Sequence, residues 1–270
     1  MTALRARDAG PGDYAAFVRL WRELDLDQAV LADDAWRERL MSSTFFLVDD
    51  ADEPVGYALV FPLGARGDVR QIAVDHRWHR RGVGRQLMAA VAARLRAAGC
   101  TDWRLEVSAT NAAALALYAA VGLRELRAIQ GVTMPRAALA QFGSLRSPRY
   151  TTTRVRPADD VAIEQHYDFG TGELARWRTN RPDAAMWQLH DVGELAGFAR
   201  YWPDFRPEMG LVFPFRADDA AAAAHLLAHA TPSPLPEHVD LAVVDRPVAA
   251  ALLRAGGELT ETQLELGGPL

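Results

Sequence analysis

Residues 68–74, DVRQIAV, and the residues that follow them decide the fold. Apolar residues crowd the end of this stretch, which is typical of a buried strand. Residues 75–81 then form a polar and strongly basic segment, and residues 82–84 read Gly-Val-Gly. From residue 85 to residue 93 the apolar positions recur at helical spacing. The stretch therefore predicts a strand, a loop and a helix in succession.

The two glycines favour a phosphate site at the start of this helix. Glycines before a helix let the backbone turn tightly and direct successive N–H groups into one concavity. The free N–H groups and the positive end of the helix dipole lie at the same place, and Arg80, Arg81 and Arg85 add positive charge. An ordinary turn into a surface helix explains the same residues. A dinucleotide fingerprint is excluded because Leu87 replaces its third glycine, and no Gly-Lys-Ser/Thr indicates a nucleotide P-loop.

A second segment downstream makes the pattern specific. A strand ending in residues 105–107 is followed by residues 111–123, NAAALALYAAVGL. Together the two segments resemble the GNAT superfamily of acyl-CoA-dependent N-acetyltransferases. The GNAT loop signature, Arg/Gln-x-x-Gly-x-Gly/Ala, corresponds to residues 79–84, with His79 in place of Arg/Gln. The GNAT helix signature, Asn-x-x-Ala-x-x-x-Tyr and then Gly-Phe, is matched by Asn111, Ala114, Tyr118, Gly122 and, in place of Phe, Leu123.

The resemblance implies acetyl-CoA as the acyl-donor co-substrate and no metal. Backbone groups of the strand would meet the thioester and the pantetheine arm, in a slot that a β-bulge opens towards the neighbouring strand. The basic loop would hold the pyrophosphate, and an asparagine would hydrogen-bond the pantetheine arm. The cofactor-binding residues implied in this way are Ile72, Ala73, Val74, His79, Arg80, Arg81, Gly82, Val83, Gly84, Arg85 and Asn111.

Two residues are candidates for proton transfer. Tyr118 is the candidate general acid, because a phenol with a pKa near ~10 is protonated at neutral pH and can donate to a departing thiolate. Glu106 is the candidate base, because a carboxylate inside an apolar strand must be paired, hydrated or functional, and burial would raise its pKa. Acetyltransferases of ribosomal-protein N-terminal alanine carry Glu at this place. A core tyrosine and a solvent-facing glutamate are the structural alternatives.

The acceptor side offers weaker candidates. Trp21, Trp36 and Tyr57 could line an acceptor cleft, with Asp25 and Asp27 attracting a cationic amine. An ordinary structural position, in the core or on the surface, explains the presence of these residues as well.

Composition limits the classes of function. The chain has 270 residues, of which 50% are hydrophobic and 24% charged, as in a globular protein. A net charge of −5 gives no general support to a nucleic-acid partner, and no apolar run suggests a membrane partner. A single cysteine, Cys100, predicts a cytoplasmic protein. His76 and His79 lack a third ligand, so they do not define a metal site.

The remaining pattern predicts further elements in the first half. They are a strand at 4–7, helices at 14–24 and 33–40, a hairpin of 45–48 with 55–60, a strand at 103–107, a helix at 111–121, a final pair of strands within 124–134 and a short helix at 136–142.

The second half weakly repeats the first after a breaker-rich segment at 143–149. We therefore expect a catalytic domain at 1–145 and a degenerate, non-catalytic domain at 150–270. Asp218 and Asp219 stand where the second half should have its counterpart of the phosphate loop, and these carboxylates would repel a pyrophosphate.

An alignment of the two halves supports this expectation. Matching Gly257 with Gly122 sets Arg246, Leu253 and Leu241 opposite Asn111, Tyr118 and Glu106, respectively.

The sequence thus predicts an α/β (α+β) protein of two GNAT-like domains, each a mixed, mainly antiparallel twisted sheet flanked by helices. The predicted activity is acetyl transfer from acetyl-CoA to a primary amine by direct attack, with Glu106 as base and Tyr118 as acid. A small-molecule amine is the favoured acceptor. A protein N-terminal acetyltransferase of the alanine type and a non-catalytic acyl-CoA sensor remain alternatives, and a homodimer is open.

Overall fold

The computed structural model describes residues 4–26, 29–206, 209–231 and 236–270, and Asp204 by its backbone alone. Asp27, a candidate charge for the acceptor, lies outside the described residues. The chain forms two compact units, Met1–Leu126 with Glu265–Leu270, and Arg127–Leu264. This division differs from the sequence-based boundary at 143–149, and the assignment of catalysis to one domain stays a prediction.

The elements follow in two series. The first is β1 (Arg5–Asp8), α1 (Tyr14–Trp21), α2 (Asp33–Arg39), β2 (Thr44–Val48), β3 (Pro54–Leu63), β4 (Arg66–Val74), α3 (Val83–Ala97), β5 (Asp102–Ser108), α4 (Ala112–Ala120), β6 (Arg124–Pro135) and α5 (Arg136–Phe142). The second is β7 (Tyr150–Arg154), α6 (Asp160–His166), α7 (Glu173–Asn180), β8 (Ala185–Asp191), β9 (Glu194–Arg206), β10 (Met209–Ala217), α8 (Ala220–Ala230), β11 (His238–Val243), α9 (Arg246–Arg254) and β12 (Glu258–Pro269).

The first unit contains the strand order β1-β2-β3-β4-β5, followed by the end of β12. Pairing is antiparallel from β1 to β4 and parallel between β4 and β5. Every second side chain of β3, including Tyr57, packs with Phe17 of α1 and Trp36 of α2. Helix α3 packs closely on β4, since a Cβ on Gly67 would lie 2.4 Å from Leu95 Cδ1. The packing of these helices against the sheet holds the end of β4 in position, and the predicted site begins there.

The second unit contains the order β7-β8-β9-β10-β11, followed by β6 and the start of β12. Its pairing is again antiparallel except between β10 and β11. The succession of strands and helices from β7 to β12 repeats that from β1 to β6. The predicted fold class, α/β with mixed and mainly antiparallel strand pairing flanked by helices, is confirmed, although the described strands of both units belong to one 12-stranded sheet.

One strand prediction is wrong. Residues 124–134 form a single strand, β6, rather than a pair. Gly131, within this strand, lies opposite β12, where a Cβ would be 2.8 Å from Thr260 Oγ1. The glycine thus permits close approach of a neighbouring strand. Within the described ranges, no helix has the length and apolar character needed to span a membrane.

Candidate active site

The parallel pair β4 and β5 separates halfway along its length. Their residues face each other from Arg66 and Asp102 to Val69 and Leu105, whereas β4 continues to Val74. The register of β4 against β3 also shifts at this point, because Arg70 is an extra residue between the pairs Leu59–Gln71 and Val60–Val69. The expected bulge is therefore present. Beyond it, the β5-facing edge of residues 72–74 has no ladder partner among the described strands, and its backbone groups can bond an extended ligand.

Two residues with a left-handed backbone conformation direct the loop after β4 into α3. Arg80 has φ 60° and Gly82 has φ 79°, a conformation that costs glycine little. The first helical bond of α3 runs from Gln86 N to Gly82 O. The preceding N–H groups therefore have no partner within the helix, which is the general state of a helix N-terminus. The loop residues 79–85 lie together around this end, as the sequence predicts.

Asp75 anchors the loop to the rest of the unit. Its side chain is 2% exposed and accepts hydrogen bonds from Arg77 N at 2.9 Å, Arg77 Nη2 at 2.6 Å and Arg19 Nη1 at 2.6 Å. Arg19, on α1, also donates to Glu53 Oε1 at 2.7 Å. The hydrogen bonds from Arg77, opposed by burial and aided by the charge of Arg19, lower the pKa of Asp75 to about 2.

Other loop cations have no acidic partner. Arg80, Arg81 and Arg85 are exposed, and none of them forms an ion pair within the described part of the chain. The Arg81 guanidinium lies 5.6 Å from the centre of the Trp78 ring. His79 Nε2 lies 2.8 Å from Val74 O and, in the tautomer that donates, ties the loop to the end of β4. The loop thus presents three guanidinium groups to an anion, while His79 braces it.

Glu23, Asp75 and His76 come close enough to suggest a cation site, since their ligand atoms lie within 4.8 Å of one another. His76 Nδ1 lies 2.8 Å from Glu23 Oε1. Two guanidinium groups, however, already contact Asp75. An added metal cation would be repelled by them, so the geometry favours a network of ion pairs.

Glu106 differs from the sequence-based expectation. Its neighbours Leu105 and Val107 are buried, whereas Glu106 itself is exposed. Alternation along a strand places it on the opposite face, so the burial expected to raise its pKa is absent. A carboxylate in this position can still exchange protons with an amine or with water, and its role as a base stays a prediction.

Tyr118 lies on α4 in a partly buried position. Burial raises its pKa to about 12, so the phenol is protonated throughout the physiological range. A buried tyrosine hydroxyl usually finds a hydrogen-bond partner. Among the described residues, the Tyr118 hydroxyl has none, which leaves its proton available to a ligand.

Asn111 has a structural role of its own. It is the N-cap of α4, and its Oδ1 accepts a hydrogen bond from Ala114 N at 3.0 Å. Its amide N–H groups remain available for the expected contact with pantetheine. Helices α3 and α4 approach each other at Gly84, where a Cβ would lie 3.2 Å from Leu117 Cδ2.

The acceptor candidates divide into core and surface. Trp36 and Tyr57 are fully buried, with the Phe17 ring 5.3 Å from that of Trp36 and 5.4 Å from that of Tyr57. They form an aromatic core and do not line an open cleft. Trp21 is partly buried and Asp25 is exposed, so these two are the acceptor candidates that a ligand can reach.

The second unit differs at the corresponding strands. Its parallel strands also contain an irregularity, between Val212 and Phe215, but pairing resumes at Phe215 and Val243. Asp219 caps α8, accepting from Ala222 N at 2.7 Å. The strands therefore stay closed where β4 and β5 separate, and a carboxylate already occupies the helix start.

The alignment of the two halves needs a shift of one residue. Gly256 has φ 99° and ends α9, as Gly122 with φ 97° ends α4, so these two glycines correspond. Counting back from them, Asp245, Leu252 and Asp240 stand opposite Asn111, Tyr118 and Glu106, respectively. The tyrosine and asparagine are still replaced. A carboxylate is retained at Asp240, where it accepts a hydrogen bond from the Thr133 hydroxyl.

Sequence reasoning missed the residues that support the loop. Asp75, Arg19 and Glu53 belong to three separate segments of the chain. An acidic residue at the start of a strongly basic loop was the available signal, because such a residue commonly caps a turn and pairs with a nearby arginine.

Comparison with known proteins agrees with this geometry. Residues 14–123 match the family model described as the acetyltransferase (GNAT) family. No curated protein matches the sequence.

Solved structures resemble the chain over nearly its full length. A Pyrococcus horikoshii protein assigned as an acetyltransferase has a TM-score of 0.71 at 14% identity, over 99% of this chain and 89% of its own. A GCN5-related N-acetyltransferase from Sphaerobacter thermophilus has a TM-score of 0.59 at 16% identity, over 98% and 95%. A tandem GNAT protein from the clavulanic acid biosynthesis pathway has a TM-score of 0.61 at 16% identity, over 100% and 98%. At these identities the similarity establishes the fold.

The Asp75 network predicts a pH-dependent stability. Because the folded pKa of Asp75 lies below its ordinary value, its contribution is complete above about pH 4 and is lost as the pH falls towards 2. Asp75→Asn should lower the free energy of unfolding at pH 7 by about 2 kcal/mol. In denaturant titrations, the difference in free energy of unfolding between the native protein and the variant should narrow as the pH falls from about 4 towards 2. Asp50→Asn, at an exposed position, is the control, and a gap independent of pH would contradict the assignment.

Proposed function

Since the chain carries an acetyltransferase domain of the GNAT family over residues 14–123, we propose that it transfers an acetyl group from acetyl-CoA to a primary amine. The observation that carries this proposal is the separation of β4 from β5 next to a helix N-terminus with three arginines that have no acidic partner among the described residues. An extended thioester arm and a pyrophosphate need these two features side by side. The proposed site contains no metal.

Each part of the donor has a proposed partner. The pantetheine arm and the thioester bond the backbone of Ile72, Ala73 and Val74 along the edge that β5 leaves without a ladder partner, and Asn111 donates its amide N–H to the arm. The pyrophosphate lies at the start of α3, bound by backbone N–H groups and the arginine side chains. The residues proposed for this phosphate site are His79, Arg80, Arg81, Gly82, Val83, Gly84 and Arg85.

Two proton transfers complete the reaction. Glu106 takes a proton from the ammonium form of the acceptor, directly or through water, and the neutral amine attacks the thioester carbon. The C–N bond forms, the C–S bond breaks, and Tyr118 gives its proton to the departing thiolate. A desolvated site raises the pKa of the thiol as well as that of the phenol, which keeps the proton transfer between them feasible.

The acceptor is proposed to be a small-molecule amine. Exposed carboxylates at Asp25 and Glu106 attract a cation. A peptide N-terminus, as in acetyltransferases of N-terminal alanine, is the alternative acceptor. The buried thiol of Cys100, which donates to Gly64 O at 3.7 Å, is consistent with a cytoplasmic location and a structural role.

The second unit is proposed to be non-catalytic. Its parallel strands pair as far as Phe215 and Val243, Leu252 replaces the proposed acid, and Asp219 occupies the helix start. A buried leucine cannot protonate a thiolate, and a carboxylate repels a pyrophosphate. One donor site per chain follows.

Calorimetric titration with acetyl-CoA tests the number of donor sites. We expect one site per chain in the native protein and none in Gly84→Glu, because the new carboxylate stands at the phosphate site and its Cβ crowds Leu117. Gly12→Glu, which introduces the same charge at an exposed glycine with open space around it, should bind normally. Two sites per chain would show that the second unit also binds the donor.

Tyr118→Phe tests the general acid. Its kcat should fall by about 10²- to 10⁴-fold, while the Kd for acetyl-CoA changes less than about twofold. The assay is thiol release from acetyl-CoA with a panel of small primary amines and peptides that begin with alanine. Tyr150→Phe, which removes a hydroxyl in the second unit, should retain activity.

If no acceptor supports turnover by the native protein while it binds acetyl-CoA, the sensor alternative replaces the enzyme. Faster turnover of the peptides than of every small amine would favour the N-terminal acetyltransferase.

Glu106→Gln tests the general base. We expect kcat/KM to fall by about 10²-fold. In a plot of kcat/KM against pH, the decrease at low pH that accompanies protonation of the base should disappear. The matched control is Glu125→Gln, which removes an exposed carboxylate of the same unit at the start of β6. An unchanged pH profile in Glu106→Gln would make this residue a solvent-facing glutamate without a catalytic role.

A further inference from the structure

A cavity lies within the second unit, between helix α8 and the segment of α5 and the turn after it. Its volume is about 420 Å³, within the ~300–1,000 Å³ of small-molecule pockets. Most of its wall is apolar. The residues that matter here are Leu139, Phe142, Ala224, Leu227, Ala228 and Arg146.

The sequence of α8 explains why this space is open. Ala224 and Ala228 are four residues apart and both line the cavity. Side chains at this spacing share one face of a helix, so two small residues leave a gap that larger ones would fill. A gap of this size with Phe142, Leu139 and Leu227 in its wall therefore suits an apolar ligand.

The polar character of the cavity is cationic. Arg146 is the charged residue of its lining, and its Nε donates to Gly143 O at 3.0 Å. Within the described ranges, Arg146 has no acidic partner. The nearby carboxylates of Asp191 and Asp219 pair with Arg149 instead, at 3.3 and 3.1 Å. The Arg146 guanidinium thus keeps donors for an anionic group.

Two histidines, His225 and His229, stand one turn apart on α8, outside the residues that line the cavity. The rings of His225 and His229 stack with centroids 4.7 Å apart. Burial and the charges of His229 and Arg146 lower the pKa of His225, so this ring is neutral at pH 7 and the positive charge beside the cavity comes from Arg146. None of the described residues that line the cavity carries a carboxylate. The surroundings therefore favour an anion over a cation.

We propose that this cavity binds a small amphipathic carboxylate, with its hydrocarbon part against Leu139, Phe142 and Leu227 and its carboxylate on Arg146. This site is separate from the acetyl-transfer site in the first unit and does not depend on it. It assigns the second unit a ligand-binding role.

The test is calorimetric titration of the full chain with sodium decanoate below its micelle concentration. One decanoate should bind per chain. The alcohol 1-decanol, which has the same hydrocarbon chain without the charge, should bind more weakly. Binding of many equivalents without saturation would overturn the proposal, because it indicates nonspecific association with apolar surface.

Two variants with matched controls locate the site. Ala228→Phe fills the cavity from an exposed position and should weaken decanoate binding at least about tenfold, whereas Ala250→Phe on the exposed face of α9 should not. Arg146→Gln should weaken decanoate about three- to tenfold and leave decanol unchanged. Arg254→Gln makes the same charge change on α9 and should have no effect. Thermal denaturation confirms folding of each variant.

Either of two results would overturn the proposal. One is undiminished binding to a folded Ala228→Phe protein. The other is equal affinity for decanoate in Arg146→Gln and Arg254→Gln, which would remove the head-group contact.

Discussion

The separation of β4 from β5 is the constraint on which the proposed activity depends. A continuous ladder would pair the backbone groups of residues 72–74 and leave no edge for a ligand. The extra residue Arg70 shifts β4 against β3, yet β10 of the second unit also contains an irregularity and then pairs with β11 again. A bulge is therefore not sufficient. The feature that distinguishes the first unit is that pairing ends at Val69 and Leu105 and does not resume.

Charge in the adjacent loop is divided between structure and binding. Arg77 and Arg19 neutralise the buried carboxylate of Asp75, which holds the loop against α1. Arg80, Arg81 and Arg85 stay outside this network. If the buried carboxylate lacked its own partners, it would compete with a phosphate for these three guanidinium groups. The ion pairs of Asp75 thus preserve the positive potential at the start of α3.

Local signals were sufficient for most elements and for the loop. Gly82, Gly84 and the basic residues between them and β4 act over a few residues, so the sequence predicts them directly. Partners distant in sequence were not predictable in this way. The Arg19–Asp75 pair joins α1 to the loop, and Gly131 accommodates a strand from the other end of the chain. The exposure of Glu106 depends on which face of β5 the core covers, and alternation alone leaves that choice open.

The second unit separates the residues that specify the fold from those that specify the chemistry. It retains the order of elements and a left-handed glycine, Gly256, at the end of its α9. These features depend on backbone geometry and are needed by any sequence that adopts the fold. It lacks the paired glycines, the tyrosine and the open strands, which folding does not require. The small residues of α8 instead leave space beside α5. Under the two proposals, the second unit has no donor site and has a ligand site at a different helix, because each site depends on a few side chains added to the same framework.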